Sequence, residues 1–102
     1  MTQVQFNYAN LPSSTALEMQ TERALGGVVR RFVGRLTRLE VHFADANGSH
    51  KHGPGDKRCT IEARPSGMHP IAVEAVSTSY QGAARQAARK LRRALEHRLS
   101  RG

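Results

Sequence analysis

A chain of 102 residues with 38% hydrophobic and 5% aromatic content has room for one modest, largely aliphatic core. Its formal net charge is +8, and all but three of its 16 basic residues are Arg, which points to an anionic partner and favours planar, bidentate contact with phosphate. The single cysteine, Cys59, excludes an intrachain disulfide and a four-thiolate metal site, and no apolar run approaches the ~18 residues of a membrane span.

The segment after Met1, TQVQFNYAN, is polar and alternating, unlike a secretory leader, so the chain reads as soluble and cytoplasmic. Residues 3–8 place Val4, Phe6 and Tyr8 on one side and Gln3, Gln5 and Asn7 on the other, a strand with one wet face. After Asn10-Leu11-Pro12, the pair Thr15 and Glu18 has the spacing of a capping box and predicts a helix from Thr15 to about Phe32. Leu25, Val28, Val29 and Phe32 form its apolar side, and Gly34 is the expected C′ residue. Gly26-Gly27 in mid-helix costs about 1 kcal/mol per glycine relative to Ala, so either the helix is weak there or something approaches its backbone closely.

Residues 37–44 alternate Leu39, Val41 and Phe43 against Arg38, Glu40 and His42. Asp45 to Gly48 is turn chemistry, and SHKHGPGD (49–56) is a Gly-rich loop without apolar residues. Residues 58–64 alternate Cys59, Ile61 and Ala63 inward, and 71–76 offer Ile71, Val73 and Ala75. Ser77-Thr78-Ser79 supplies N-cap candidates for a final helix from Tyr80 to Arg101. On that helix Ala84, Ala87, Ala88, Leu91, Ala94, Leu95 and Leu99 fall on one side, and Arg85, Arg89, Lys90, Arg92 and Arg93 on the other; Arg98 falls by the same count on the apolar side.

The order β-α-β-β-β-α predicts an α+β fold over residues 1–102 as a single domain. Three consecutive strands form an antiparallel meander, the first strand adds at one edge, and both helices pack on one face of the four-stranded sheet. The helices' outer sides then lie together, so that Arg23, Arg30, Arg31, Arg85, Arg89, Lys90, Arg92 and Arg93 make one basic surface able to follow nucleic-acid phosphates. A solvated helix face of mixed sign is the ordinary alternative, but this face is nearly all positive. Phosphate contacts position a ligand and carry no base specificity.

Other chemistry has little support. His50, His52 and Asp56 share a loop but lack a metal-ligand spacing motif, and Cys59 is expected to face the core, so no metal site and no cofactor is expected. His42, His69 and His97 read as surface residues, and Tyr80 as core or a helix-start anchor. No nucleophile elbow, phosphate loop or paired carboxylates occurs in a supporting context, so neither enzyme activity nor a small-molecule substrate is expected. The final helix is Ala-rich without Trp or Phe on its apolar side, which suits packing on a sheet better than lying on a membrane.

Two segments carry a family resemblance: RRFVGRLTRLEVHF across the first helix end and second strand, and SYQGAARQAARKLRRALEHRL in the last helix. In their order and spacing the chain resembles the ribosome hibernation-promoting factors, also called ribosome-associated translation inhibitors, in their short form. Tyr80, Ala83 and Ala84 approximate the family's aromatic-Ala-Ala helix start, with Gly82 interposed; Ala9-Asn10 stand where a Gly is usual. The resemblance implies binding to the small ribosomal subunit and its rRNA, with inhibition of translation or ribosome hibernation under stress. It carries RNA contact to Arg30, Arg31, Arg85, Arg89, Lys90, Arg92 and Arg93, and, with the sequence ending at Gly102, predicts no C-terminal dimerisation domain. A double-stranded RNA or DNA binder unconnected to ribosomes is the alternative reading of the same basic surface.

Overall fold

The computed structural model describes residues 2–9, 11–45 and 57–99. The turn and loop read from the sequence at 46–56, with His50 and His52, lie outside these residues, as does Arg101. Six elements follow in order: β1 (Gln3–Tyr8), α1 (Thr15–Arg31), β2 (Leu36–Asp45), β3 (Lys57–Pro65), β4 (Ile71–Ser77) and α2 (Tyr80–Leu99). The sheet order is β1-β2-β3-β4. β1 runs parallel to β2, as a helical crossover allows, and β2, β3 and β4 form the expected antiparallel meander.

Period-two alternation sorts the strands into two faces. Leu39, Val41 and Phe43 of β2 and Cys59, Ile61 and Ala63 of β3 are fully buried beneath the helices. From α2, Ala83, Ala84, Ala87, Ala88, Leu91, Leu95 and Leu99 are buried against them. The alanines let the helix backbone lie close to the strands. Removing apolar surface from water at ~25 cal/mol per Å² makes this layer the main source of stability. Burial pushes the Cys59 thiol up to about 12, so it behaves as a small apolar side chain and stays protonated at neutral pH.

Phase matters at the start of β2. Strict alternation would turn Leu36 to the same side as Arg38 and Glu40, yet Leu36 is buried. The register explains it: Leu36 faces Pro65 and Arg38 faces Arg64, so Thr37 is an extra residue in a β-bulge. Its hydroxyl donates to the Arg64 carbonyl (2.9 Å). The bulge flips the phase and returns Leu36 to the core.

The helix starts differ from the capping box read at Thr15 and Glu18. Ser14 is the N-cap of α1, and its side chain accepts from the Leu17 amide at 3.1 Å. The box does not form because the cap lies one residue earlier, with Leu17 three residues on. Glu18 instead accepts from the Tyr8 hydroxyl (2.9 Å), which ties the end of β1 to the first turn of α1. Burial and the Glu18 carboxylate outweigh a hydrogen bond to the Ser14 carbonyl and raise the Tyr8 pKa. Ser79 caps α2 by accepting from the Gly82 amide at 2.9 Å.

Gly34 acts one step further on than expected. The last bond of α1 runs from the Phe32 amide to the Val28 carbonyl, and Gly34, with φ +85°, lies two residues beyond that cap. It occupies the third position of the turn from Phe32 to Arg35, where a type II turn requires positive φ.

Candidate nucleic-acid interface

Both helices lie over one face of the sheet, and all eight basic positions singled out in the sequence are exposed: Arg23, Arg30, Arg31, Arg85, Arg89, Lys90, Arg92 and Arg93. The structure does not treat them alike. Arg23, Arg85, Arg89 and Arg92 line the cleft where the helices meet. Arg31 and Arg92 converge from different helices on Glu96, at 3.5 and 3.3 Å. That acid links α1 to α2 and partly neutralises this end of the surface. Arg30 bends back along its own helix, its Nη1 lying 3.3 Å from where a β-carbon on Gly26 would stand.

Lys90 points elsewhere. Its Nζ donates to the Glu74 carbonyl of β4 at 2.7 Å, on the side of α2 away from α1. It covers part of the sheet's free edge, a use of lysine that discourages strand pairing with another chain. Arg98 is exposed. The angular count placed it on the apolar side, but the side chain lies in solvent while its neighbour Leu99 is buried.

Arg23, Arg30, Arg85, Arg89 and Arg93 have no ion pair or hydrogen bond from their side chains among the described residues. Arg85, Arg89 and Arg93 succeed one another at four-residue spacing, an arrangement that costs the helix a few tenths of a kcal/mol per pair. An uncompensated row of guanidiniums, each with five donors, is suited to phosphate oxygens.

The cleft between the helices has two connected parts. The wider, of about 440 Å³, is walled by Gln20, Arg23, Gln81 and Arg85 above Thr21, Ala24 and Ala84. The narrower, of about 250 Å³, runs over Ala24, Gly27, Val28 and Ala88, with Arg85, Arg89 and Arg92 at its rim. Ala24 and Arg85 belong to both, so the two are one groove. Thr21 is fully buried, and its hydroxyl donates to the Leu17 carbonyl at 2.8 Å.

Sequence reasoning missed three groove or helix-end residues. Gln20 and Gln81 stand on different helices and bear no motif; only the packing brings them to one cleft. Arg35 donates from Nη1 to the Leu99 carbonyl at 3.2 Å and satisfies an end carbonyl of α2 from far away in the chain.

The sequence profile described as Sigma 54 modulation protein / S30EA ribosomal protein matches residues 4–102. The chain belongs to this family. S30EA membership supports a ribosome-associated role, in line with the resemblance drawn from the segment across the first helix end and second strand and from the last helix. No curated protein matches the chain in sequence. Among solved structures, the N-terminal domain of Protein Y from Thermus thermophilus is similar with a TM-score of 0.74 and 20% identity, covering 95% of this chain and 98% of that one. A ribosomal subunit interface protein from Coxiella burnetii gives 0.73 and 18%, covering 96% and 98%. At these identities the likeness to this S30EA chain is one of fold.

Proposed function

We propose that this protein is a single RNA-binding domain that docks on the small ribosomal subunit, through rRNA phosphates, and inhibits translation or promotes hibernation under stress. One observation carries this reading: in a chain of the S30EA family the helix face presents Arg23, Arg30, Arg85, Arg89 and Arg93 without acidic partners among the described residues, while Arg31 and Arg92 share Glu96. A subunit interface protein shares the fold, which supports the same assignment. The action is steric and electrostatic, in the cytoplasm, without enzymatic chemistry, a cofactor or a small-molecule substrate. Guanidiniums on the rim displace counterions from the RNA backbone and hold the domain by many modest contacts.

Cosedimentation with purified small subunits tests it. Arg89→Glu with Arg93→Glu abolishes cosedimentation while the circular dichroism spectrum and melting temperature stay near those of the unaltered protein. Retained cosedimentation by the folded double variant sinks the proposal. Affinity also drops steeply with salt, by about 10³-fold between 50 and 200 mM if roughly six phosphates are neutralised. Free duplex RNA or DNA that competes as well as the subunit itself does would favour a general duplex binder.

A further inference from the structure

Two glycines buried or bared by the helices have opposite reasons for being glycine. Gly82 is buried at the start of α2, where a β-carbon would stand 2.6 Å from Ser77 Oγ and 3.1 Å from Ser79 Oγ. A side chain there would force Ser77 to shift. Gly27 sits in the middle of α1, exposed, and a β-carbon on it would meet no described atom within 4 Å. Glycine at such a site costs about 1 kcal/mol relative to Ala, and the surrounding fold offers no compensation. Its one structural consequence is a bare stretch of helix backbone on the floor of the interhelical groove.

The rim above that floor is cationic. Arg85 and Arg89 have no side-chain partner among the described residues, and Arg92 shares Glu96 with Arg31. An occupant that reaches the floor must be both anionic and slender. A duplex is stiff and presents its phosphates on a broad surface across the outer rim, whereas a single-stranded phosphodiester can bend to follow the floor of the groove. Toward the helix N-termini the groove widens to about 440 Å³, a volume in the range of small-ligand sites. There the amides of Gln20 and Gln81 each offer donors and an acceptor, as a base edge requires, and Arg23 and Arg85 offer guanidinium planes on which a base can stack.

We infer that the groove between α1 and α2 seats a single strand of RNA, with a phosphodiester against the backbone at Gly27 and an unstacked base between Gln20 and Gln81. The inference rests on the RNA-binding reading and adds to it a preference for unpaired over paired RNA. Gly27 is then a positioning residue: its lack of a side chain admits the strand.

Fluorescence anisotropy with a labelled single strand of about ten nucleotides, and with a hairpin that pairs the same sequence, separates the possibilities. The full chain binds the single strand more tightly than the hairpin. Gly27→Leu, which fills the recess, weakens the single strand by about tenfold or more and leaves the hairpin within about twofold. Gly27→Ala raises the melting temperature by a few degrees yet weakens the single strand, so a loss of folding cannot account for the effect. Gln20→Ala with Gln81→Ala also weakens the single strand selectively. Equal affinity of Gly27→Leu and the unaltered protein for the single strand overturns the assignment, as does an equal loss on strand and hairpin. If Arg93→Glu weakens binding of both RNAs while Gly27→Leu changes neither, the groove is wrong and the basic surface stands. If the unaltered protein binds no RNA and no small subunit, the basic surface itself fails, and the groove with it.

Discussion

The two faces of the sheet carry charge in different ways. On the open face, β2, β3 and β4 set Arg38, Arg58 and Arg64 against Glu40, Glu62 and Glu74. The register puts like beside like: Arg38 opposite Arg64, and Glu40 opposite Glu62. Such pairs are destabilising if left alone. The side chains resolve them along the strands and the diagonals: Glu40 reaches Arg38 at 3.4 Å and Arg64 at 3.8 Å, Arg64 meets Glu62 at 3.1 Å, and Arg58 meets Glu74 at 3.7 Å. That face is balanced in charge, although Arg58 Nε is buried without a hydrogen-bond partner among the described residues and meets Glu74 only at ion-pair distance. The helix-covered side has arginines in rows with Glu96 as the cross-helix acid, and several of them face solvent alone. The difference teaches that the net charge of +8 is not spread evenly over the molecule. Local pairing absorbs it on the sheet and leaves it available on the helices.

Adjacent residues of β2 separate the two faces most sharply. Phe43 is fully buried, 5.6 Å from the Tyr8 ring centroid and 5.7 Å from that of Tyr80. His42, one residue back, turns to the open face beside Glu40. Phe43→Ala costs roughly 3–5 kcal/mol, the largest effect expected of any single change considered, because it empties the space that joins β1, β2 and the start of α2. His42→Ala stays within about 0.5 kcal/mol. Urea unfolding at neutral pH measures both; comparable losses at the two positions would dissolve the distinction between the faces.

A smaller effect is expected where α2 begins. Gly82→Ala forces its new β-carbon against Ser77 Oγ and lowers stability by about 1–3 kcal/mol, as overpacking does. Ser77→Ala removes the hydroxyl and recovers part of that loss in the double variant. A double-mutant cycle reads the coupling, and strict additivity of the two changes would show that the contact is not the cause.

Much of this architecture was legible in the sequence because it rests on local periodicity. Gln3–Tyr8 alternates cleanly, and the arginine and alanine sides of α2 are separated by the helical repeat alone. The bulge at Thr37 was not legible, since only pairing with Pro65 and Arg64 shows that Leu36 must turn inward. Ser14 and Thr15 are both good caps, and the observed choice of Ser14 goes with Glu18 being engaged by Tyr8, a residue of another element. At the candidate site, the basic residues were visible as a charge pattern. Their division was not: Lys90 is drawn to the β4 edge and Arg31 to Glu96 by contacts between remote segments. Gln20 and Gln81 become a pair only when α1 and α2 pack, so no spacing announces them.

The smallest effect expected is also the most direct test of why the two faces differ. If sign and availability of charge decide which face meets RNA, removing acids from the open face should give it some of the helix face's character. Glu40→Gln with Glu62→Gln frees Arg38 and Arg64 from their partners without removing a strand residue or changing its size. The pairs are partly exposed, so each contributes less than about 1 kcal/mol and the fold tolerates the change. Net charge rises by two, and the freed guanidiniums can reach phosphates. Weak RNA binding, lost in the Arg89→Glu and Arg93→Glu double variant, is therefore expected to reappear in the quadruple variant at low salt, and to vanish as added salt shortens the Debye length. Its absence at low salt would mean that flat sheet geometry, and not the neutrality of Glu40 and Glu62 with their arginines, keeps RNA off that face.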